Sequence, residues 1–404
     1  MRRREFIRSL TAAGSAMFLP AAGLTAKEQI ADDPLAPPPI LRPIPEKYAD
    51  SQRLWQGISS LEAASDTDVW VCWYSGGVTE DEFNYVLLAY SSDRGETWSE
   101  PLLAIDPPGM VRAFDPAIWR DPAGRLWLFW TQGEKVPDAQ WPLWDGRAGV
   151  WTITTDNPKA GKDAVWSAPR RICDGVMMGK PIVDSRGRYL FPVAVWRFDG
   201  KYSASVPREH VGTSLWCSAD RGETFTFLGS AKADHRLALW DEHNIVEMKD
   251  GSFKMYARTR TGIAETVSED GGVTWTDLAE SPIKHTSSRF LVRRMRSGRL
   301  LLVKNGPIDR DVGRVRMTAF LSDDDGVTWN SSLLLDERKN VSYPDGTQTE
   351  DGTIYLTYDF DRFGERQIMA ARLTEEDILA GKIVTEGSKL KILVNRASGP
   401  LPSK

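Results

Sequence analysis

A short string recurs along the chain: Ser-x-Asp-x-Gly-x-Thr followed by an aromatic residue. Four complete copies begin at Ser91, Ser218, Ser268 and Ser322. A fifth, interrupted copy runs from Thr154 to Trp166. The Asp residues of successive copies are 50 to 64 residues apart. A period of this length is typical of a fold in which one supersecondary unit is repeated.

Each copy of the string has the chemistry of a turn between two strands. In the first copy, the apolar run 85–90 precedes it and the shorter run 99–105 follows it. Ser and Asp side chains accept hydrogen bonds from nearby backbone N–H groups, and Gly adopts the positive φ that tight turns need. We therefore interpret the Asp residues of the string as structural and exclude them from the candidate site.

A second β-rich run lies upstream of each string, and these runs divide the chain into six units. They cover 68–73, 125–130, 189–196, 252–257, 299–304 and 353–358. Units of a few short antiparallel strands cannot bury their faces alone, so they stack radially as the blades of a propeller. The sequence predicts an all-β, six-bladed β-propeller over residues 51–398, although the chain length alone suggests two or three domains.

The first 26 residues have a different composition. Four arginines, the last of them Arg8, precede an apolar run over 10–24 that ends in small residues, which is typical of an export signal. The run is too short and too rich in Ala and Gly for a stable membrane span. Because 3–7 resembles the twin-arginine motif, we expect a periplasmic or secreted bacterial protein. Residues 27–50 contain six prolines and are interpreted as an extended tether.

Composition excludes several classes of partner and site. The net charge is −5, which argues against a nucleic-acid partner bound through a broad basic surface. The three cysteines have no paired spacing, which argues against both a disulfide framework and a zinc site. The four histidines lack metal-ligand spacing, so no metal or other cofactor is expected. The oligomeric state is left open.

The recurring string is the Asp box, and with the blade count the chain resembles the sialidase (neuraminidase) superfamily over roughly 54–394. The resemblance implies an exo-acting glycosidase with a glycan substrate. In that family an arginine cluster holds the substrate carboxylate, a Tyr is the nucleophile with a Glu as its base, and an Asp protonates the leaving group. A Tyr nucleophile is a recognised exception among glycosidases.

The resemblance implies roles for four residues. The segment 241–247 is similar to the family's Asn-Glu segment, which makes Glu242 the candidate base. Arg258 and Arg314 match two of the carboxylate-binding arginines. The segment 342–346 resembles the Tyr-Ser-Asp segment of the last blade, so Tyr343 is the candidate nucleophile.

The chain also departs from the family pattern. Gly57 stands where sialidases have their first-blade arginine. Either another guanidinium replaces it, with Arg112 and Arg289 as the nearest candidates, or the substrate presents a group other than a sialic-acid carboxylate. The acid/base residue should lie in the loop 79–82, where Asp81 is our candidate and Glu82 an alternative. The same residues would also fit an exposed, solvated acidic loop.

Two further residues lie in axial positions. Asp115 shares a short segment with Arg112, and the pair would either bind sugar hydroxyls or form an ion pair between blades. His243, beside Glu242, could serve as a general acid or base if the missing arginine signals altered chemistry.

Three functions remain open at this point. The first is hydrolysis of a terminal acidic sugar, with sialic acid as the default. The second is hydrolysis or elimination on another sugar, such as a rhamnosyl or uronic-acid glycan. The third is carbohydrate binding without catalysis, since a fold does not dictate a function.

Overall fold

The computed structural model describes residues 33–134, 147–196, 206–232, 234, 236–239 and 242–401. The export signal and the first residues of the tether lie outside these ranges and stay predictions. The described residues form six antiparallel sheets, the blades of a six-bladed β-propeller, and one short α-helix, α1 (Glu375–Ala380). None of the helices in the described ranges has the length and apolar character needed to cross a membrane.

Each blade is built from strands that pair with their neighbours along the chain. Strand β1 (Ile40–Leu41) is a fifth, outermost strand of blade 1. The inner strands are β2 (Trp55–Ala63), β6 (Val111–Arg120), β10 (Ile182–Val183), β14 (His243–Glu247), β18 (Leu291–Arg294) and β22 (Val341–Gln348). The second strands are β3 (Val69–Gly76), β7 (Leu126–Glu134), β11 (Tyr189–Val195), β15 (Phe253–Thr259), β19 (Leu300–Asn305) and β23 (Ile354–Phe360).

The third strands are β4 (Tyr85–Ser91), β8 (Gly149–Thr155), β12 (Gly212–Ser218), β16 (Gly262–Ser268), β20 (Val315–Ser322) and β24 (Gln367–Leu373). The outer strands are β5 (Leu103–Ile105), β9 (Arg170–Asp174), β13 (Thr226–Ala231), β17 (Ala279–Glu280), β21 (Ser331–Lys339) and β25 (Lys389–Arg396). Short 3₁₀ turns occur at Glu46–Tyr48, Asp50–Gln52, Pro158–Asp163 and Arg208–His210.

The described part of the Pro-rich segment, 33–50, packs on the propeller. The Nε2 of Gln132 donates hydrogen bonds to the carbonyl oxygens of Pro34 at 3.0 Å and Ala36 at 2.8 Å. Strand β1 pairs with β5, the otherwise unpaired edge of blade 1. This differs from the extended tether that we expected, because an exposed strand edge offers backbone partners that a free segment lacks.

The Asp boxes connect third strands to outer strands. In blade 3, the Ser218 Oγ accepts a hydrogen bond from the N–H of Gly222 at 2.7 Å, and Asp220 accepts one from the N–H of Thr224 at 2.9 Å. The Thr224 hydroxyl and N–H lower the pKa of Asp220 to about 2. The interrupted copy lies at the same place in blade 2 and contains the 3₁₀ turn Pro158–Asp163. This geometry agrees with a structural role for the boxes.

Aromatic side chains fill the spaces between neighbouring blades. Trp70, Trp127 and Trp130 are fully buried. The Trp119 ring of blade 2 meets the Tyr189 ring of blade 3 edge to face, with centroids 5.1 Å apart. Large aromatic residues bury much apolar area per side chain, which explains the abundance of Trp in this chain.

Successive strands of a blade run in opposite directions, so the connections between them fall into two groups, one at each end of the ring. Since paired strands are antiparallel, the turns after inner and third strands lie at one end, which we call the box end because it carries the Asp boxes. The connections after second strands, together with the starts of the inner strands, lie at the opposite end, which we call the loop end. At the box end a well of about 620 Å³ is lined by the ends of all six inner strands.

Candidate active site

Tyr343 occupies a strained backbone position at the loop end of blade 6. Its φ is +56°, although the next residue is Pro344, which favours extended backbone before it. The pairing of β22 with β23 shifts register between Ser342 and Asp345, which defines a β-bulge. The side chain is only 5% exposed. Bulges re-aim side chains, and positive φ at a non-glycine residue is enriched at functional sites.

The same irregularity occurs in the two blades that follow in the ring. Ile58 in β2 and Asp115 in β6 have φ values of +56° and +46°. Each lies within a register shift of its inner strand, between Gly57 and Ser60 in blade 1 and between Phe114 and Ala117 in blade 2. Three adjacent inner strands therefore carry a bulge near the loop end. Local propensity gives no sign of these bulges, because β-branched and pre-proline residues disfavour positive φ.

Arg258 joins the predicted nucleophile to the predicted base. Its Nη1 lies 2.9 and 3.0 Å from the two carboxylate oxygens of Glu242 and 3.2 Å from the hydroxyl oxygen of Tyr343. All three side chains are less than a tenth exposed. Within the described residues no hydrogen bond links Glu242 to Tyr343 directly, so the guanidinium is their common partner.

Two more guanidinium groups flank the Tyr343 ring. The Cζ of Arg314, a predicted carboxylate-binding residue, lies 5.1 Å from the ring centroid. The Cζ of Arg362 lies closer, at 4.8 Å. Arg362 was not among the predicted residues. It follows the second strand of blade 6 much as Arg258 ends the second strand of blade 4, and this repeat position is the signal that could have identified it.

Asp115 is a buried carboxyl that feels the charge of the predicted base, Glu242. Burial, followed by the negative charges of Glu242 and Glu80, raises its pKa to about 8. Arg112 is buried with its guanidinium 4.0 Å from the centre of the Phe114 ring. Among the residues that the structure describes, no ion pair joins Arg112 to Asp115, so the predicted alternative of an ion pair between blades is not observed. The Nε and Nη1 of Arg112 have no hydrogen-bond partner there.

Asp81 stabilises the turn that contains it. Its Oδ1 accepts the N–H of Phe83 at 3.0 Å, and burial raises its pKa. The neighbouring Glu80 forms an ion pair with Arg362, and its Oε1 lies 2.8 Å from Nη1 of that arginine. Of the acidic loop 79–82, Glu80 is thus the residue that contacts the arginine cluster, although it was not among the predicted site residues.

Arg289 lies deeper, in a buried charge network on the axis. It forms an ion pair with Asp345 at 3.1 Å and donates to the carbonyl oxygen of Ser59. Lys180 lies 3.1 Å from the same carboxylate and 3.4 Å from that of Glu62. Arg289 therefore links neighbouring blades. Its guanidinium does not replace the first-blade arginine that is missing at Gly57.

His243 contacts the neighbouring blade. Its Nε2 lies 2.9 Å from the carbonyl oxygen of Ser214 in blade 3. No group of three or more His, Cys, Asp or Glu side chains that could hold a metal ion occurs in the described ranges. The three cysteines are buried as free thiols.

The comparisons with known proteins agree with this architecture. The family described as "BNR repeat-like domain" matches residues 54–356. The chain belongs to this BNR repeat-like family. The family and the six blades together confirm the propeller of the sialidase superfamily that the Asp boxes predicted. No curated protein matches the chain.

Several solved structures resemble this one at low sequence identity. The Hadza microbial sialidase Hz136 shares 20% identity at a TM-score of 0.59 over 77% of this chain and 65% of that one. A protein of unknown function from Dyadobacter fermentans shares 18% at 0.61 over 80% and 95%. The leech intramolecular trans-sialidase shares 17% at 0.60 over 83% and 70%. At these identities the similarity shows the common fold.

Proposed function

We propose that this BNR-family protein is a glycoside hydrolase that removes a terminal acidic sugar from a glycan, with sialic acid as the first substrate to test. The observation that carries the proposal is the contact of one Arg258 nitrogen with both the Tyr343 hydroxyl and the Glu242 carboxylate. A phenol that attacks a carbon must lose its proton, and a nearby guanidinium and carboxylate favour that loss. The sialidases among the structural neighbours also support a carbohydrate ligand.

The reaction proceeds in two displacements. In the first, the Tyr343 oxygen forms a bond to the anomeric carbon, the glycosidic C–O bond breaks, and the phenol proton passes to Glu242. In the second, the oxygen of a water molecule bonds to the anomeric carbon as the tyrosyl–sugar bond breaks. The water proton passes to the carboxylate that had protonated the leaving oxygen, and the phenol regains its proton from Glu242. Arg258 and Arg314 hold the sugar carboxylate beside the ring, since guanidinium groups bind carboxylates with two parallel hydrogen bonds.

Asp115 is the proposed proton donor to the leaving oxygen. A carboxyl whose pKa is about 8 carries its proton at neutral pH, which a general acid requires. Asp81, the residue that the family pattern favours, has one carboxyl oxygen occupied by its own turn. Asp115 has no hydrogen-bond or ion-pair partner among the described residues, so its proton is available to a ligand.

Substitution of the nucleophile tests the proposal. Tyr343→Phe should lower kcat/KM on a sialoside at least about 1,000-fold, because loss of a covalent step costs several kcal/mol of barrier. The thermal midpoint should change little, since the ring is retained. Phe360→Tyr, which adds a hydroxyl to a partly buried ring outside the site, is the matched control and should keep wild-type turnover.

Three results would contradict the proposal. If Tyr343→Phe cleaved the sialoside as fast as the wild type, the mechanism with a tyrosine nucleophile would be excluded. Cleavage of uronate or rhamnosyl glycans without cleavage of sialosides would change the substrate. Binding without turnover across a panel of acidic glycans would make the propeller a carbohydrate-binding protein.

A further inference from the structure

Arg362 reaches the site across the seam between blades 6 and 1. It follows β23, and its aliphatic stem lies against Gly57 of the first inner strand. A Cβ placed on Gly57 would be 2.2 Å from Cδ and 3.0 Å from Cγ of Arg362. Gly57 is not among the glycines with positive φ, so its backbone does not require glycine. What requires glycine at position 57 is the arginine that fills the space beside it.

The guanidinium of Arg362 is held in one place by contacts on several sides. Its side chain is 8% exposed, and its Cζ lies 5.7 Å from the centroid of the Trp55 ring. Nη1 pairs with Glu80 at 2.8 Å, and Nε lies 3.6 Å from a carboxylate oxygen of Asp359. A buried, paired and stacked guanidinium has little freedom left to lose when a ligand binds.

Three guanidinium groups surround one phenol ring. The Cζ atoms of Arg258, Arg314 and Arg362 lie 5.9, 5.1 and 4.8 Å from the Tyr343 centroid. Arg258 is paired with Glu242 and Arg362 with Glu80, whereas Arg314 has no ion pair within the described part of the chain. An anionic ligand would give Arg314 the ion-pair partner that it lacks among the described residues.

We propose that Arg362 is the third carboxylate-binding arginine of the site, supplied by blade 6 because position 57 of blade 1 is glycine. The inference rests on the proposed function and adds to it a specificity-determining residue that the family pattern does not contain. It also assigns Gly57 a role, which is to leave room for the stem of Arg362.

Moving the arginine tests the inference. In a Tyr343→Phe background, which prevents turnover, Arg362→Gly should raise the Kd for N-acetylneuraminic acid about 10- to 100-fold, because hydrogen bonds between charged groups contribute about 1.5–3 kcal/mol. Gly57→Arg alone should also weaken binding, because the two side chains compete for one space. The double variant Gly57→Arg/Arg362→Gly should regain most of the lost affinity. Calorimetry gives each Kd.

The methyl ester of the same sugar separates carboxylate binding from structural effects. Arg362→Gly should leave the Kd of the ester within about twofold of the unsubstituted background, since the ester lacks the anionic group. Arg366→Gly, in the same hairpin, is the matched control and should bind the acid normally. Thermal unfolding of every variant verifies that the propeller is intact.

The outcomes distinguish this inference from the proposed function. If Arg314→Gly weakens binding of the acid but Arg362→Gly does not, the inference fails and the proposed function stands. If the double variant is folded but regains no affinity, Arg362 only packs blade 6 against blade 1, and the inference again fails. If the unsubstituted site binds neither N-acetylneuraminic acid nor glucuronic acid, both are wrong.

Discussion

At the scale of single residues, Asp115 has the most unusual environment in the site. It is 5% exposed, has positive φ, and is subject to the negative charges of Glu242 and Glu80. Burial of a carboxyl next to like charges favours its protonated form. The same residue therefore links the proposed chemistry to the stability of the protein.

Asp115 should make the protein less stable as the pH rises. Its pKa is raised from 3.8 to about 8, so the folded state holds a proton that the unfolded chain releases above pH 4. The free energy of unfolding should fall between about pH 4 and pH 8, with a slope from this group of at most about 1.4 kcal/mol per pH unit. Asp115→Asn should flatten the curve, which thermal unfolding at a series of pH values measures.

The matched control is Asp277→Asn, a substitution at an exposed position, which should leave the pH dependence unchanged. An Asp115→Asn curve as steep as that of the wild type would contradict the prediction. If Asp115 also donates the proton to the leaving oxygen, the wild-type rate should fall above about pH 8. The pH–rate profile of Asp115→Asn should lack this decrease.

Local motifs predicted part of the site, and contacts distant in sequence explain the rest. Glu242, Arg258 and Tyr343 each lie in a short recognisable segment, and the structure brings them together. Arg362 could not be identified from local motifs. Its position depends on the absence of a side chain at Gly57, which lies near the other end of the chain. Asp81 and Glu80 are neighbours in sequence, and only loop geometry decides which of them meets the arginines.

At the scale of elements, the Asp box acts as a folded turn with its own hydrogen-bond network. The Ser side chain of the box is the buried member: Ser218 is 1% exposed and accepts the N–H of Gly222. Antiparallel alternation places these turns at the box end, away from the candidate site. The box should therefore govern stability without affecting catalysis.

Ser218→Ala should lower the free energy of unfolding by about 1–3 kcal/mol, because it leaves the buried N–H of Gly222 without a partner. Chemical denaturation measures the change. Ser332→Ala, at an exposed strand position, should change it by less than about 0.5 kcal/mol. A matching loss of kcat/KM in the folded Ser218 variant would contradict the separation of turn and site.

The strands were predictable because each box marks its two flanking strands, and the β-rich runs coincide with the second strand of every blade. Strand β1 was not predictable, because its two residues become a strand only when the edge of β5 is beside them. The bulges were not predictable either. Ile58 and Tyr343 adopt a positive φ in the fold, whereas their side chains disfavour that backbone conformation.

At the scale of the whole molecule, the axial network connects blades that are distant in sequence. Asp345 of blade 6 pairs with Arg289, which precedes the inner strand of blade 5, and with Lys180, which precedes that of blade 3. Lys180 also reaches the carbonyl oxygen of Leu61 in blade 1 at 2.6 Å. One buried carboxylate is therefore shared by several blades.

Asp345→Ala should destabilise the propeller by about 3–5 kcal/mol, because it leaves the buried guanidinium of Arg289 without its counter-ion and removes one of the two carboxylates that pair with Lys180. Equilibrium denaturation measures this loss. Asp323→Ala removes a carboxylate that is 73% exposed and should cost no more than about 1 kcal/mol. Equal effects of the two substitutions would show that the axial ion pairs contribute little.

The three bulged inner strands have a consequence for how such a ring can change its chemistry. Each carries one inserted position that departs from an otherwise repeated pattern, and these positions hold an isoleucine, an aspartate and a tyrosine in consecutive blades. The ladders on either side keep their pairing. A ring of this kind can therefore present a different side chain from each blade at the same bulged position, while the strands around the bulge keep one architecture.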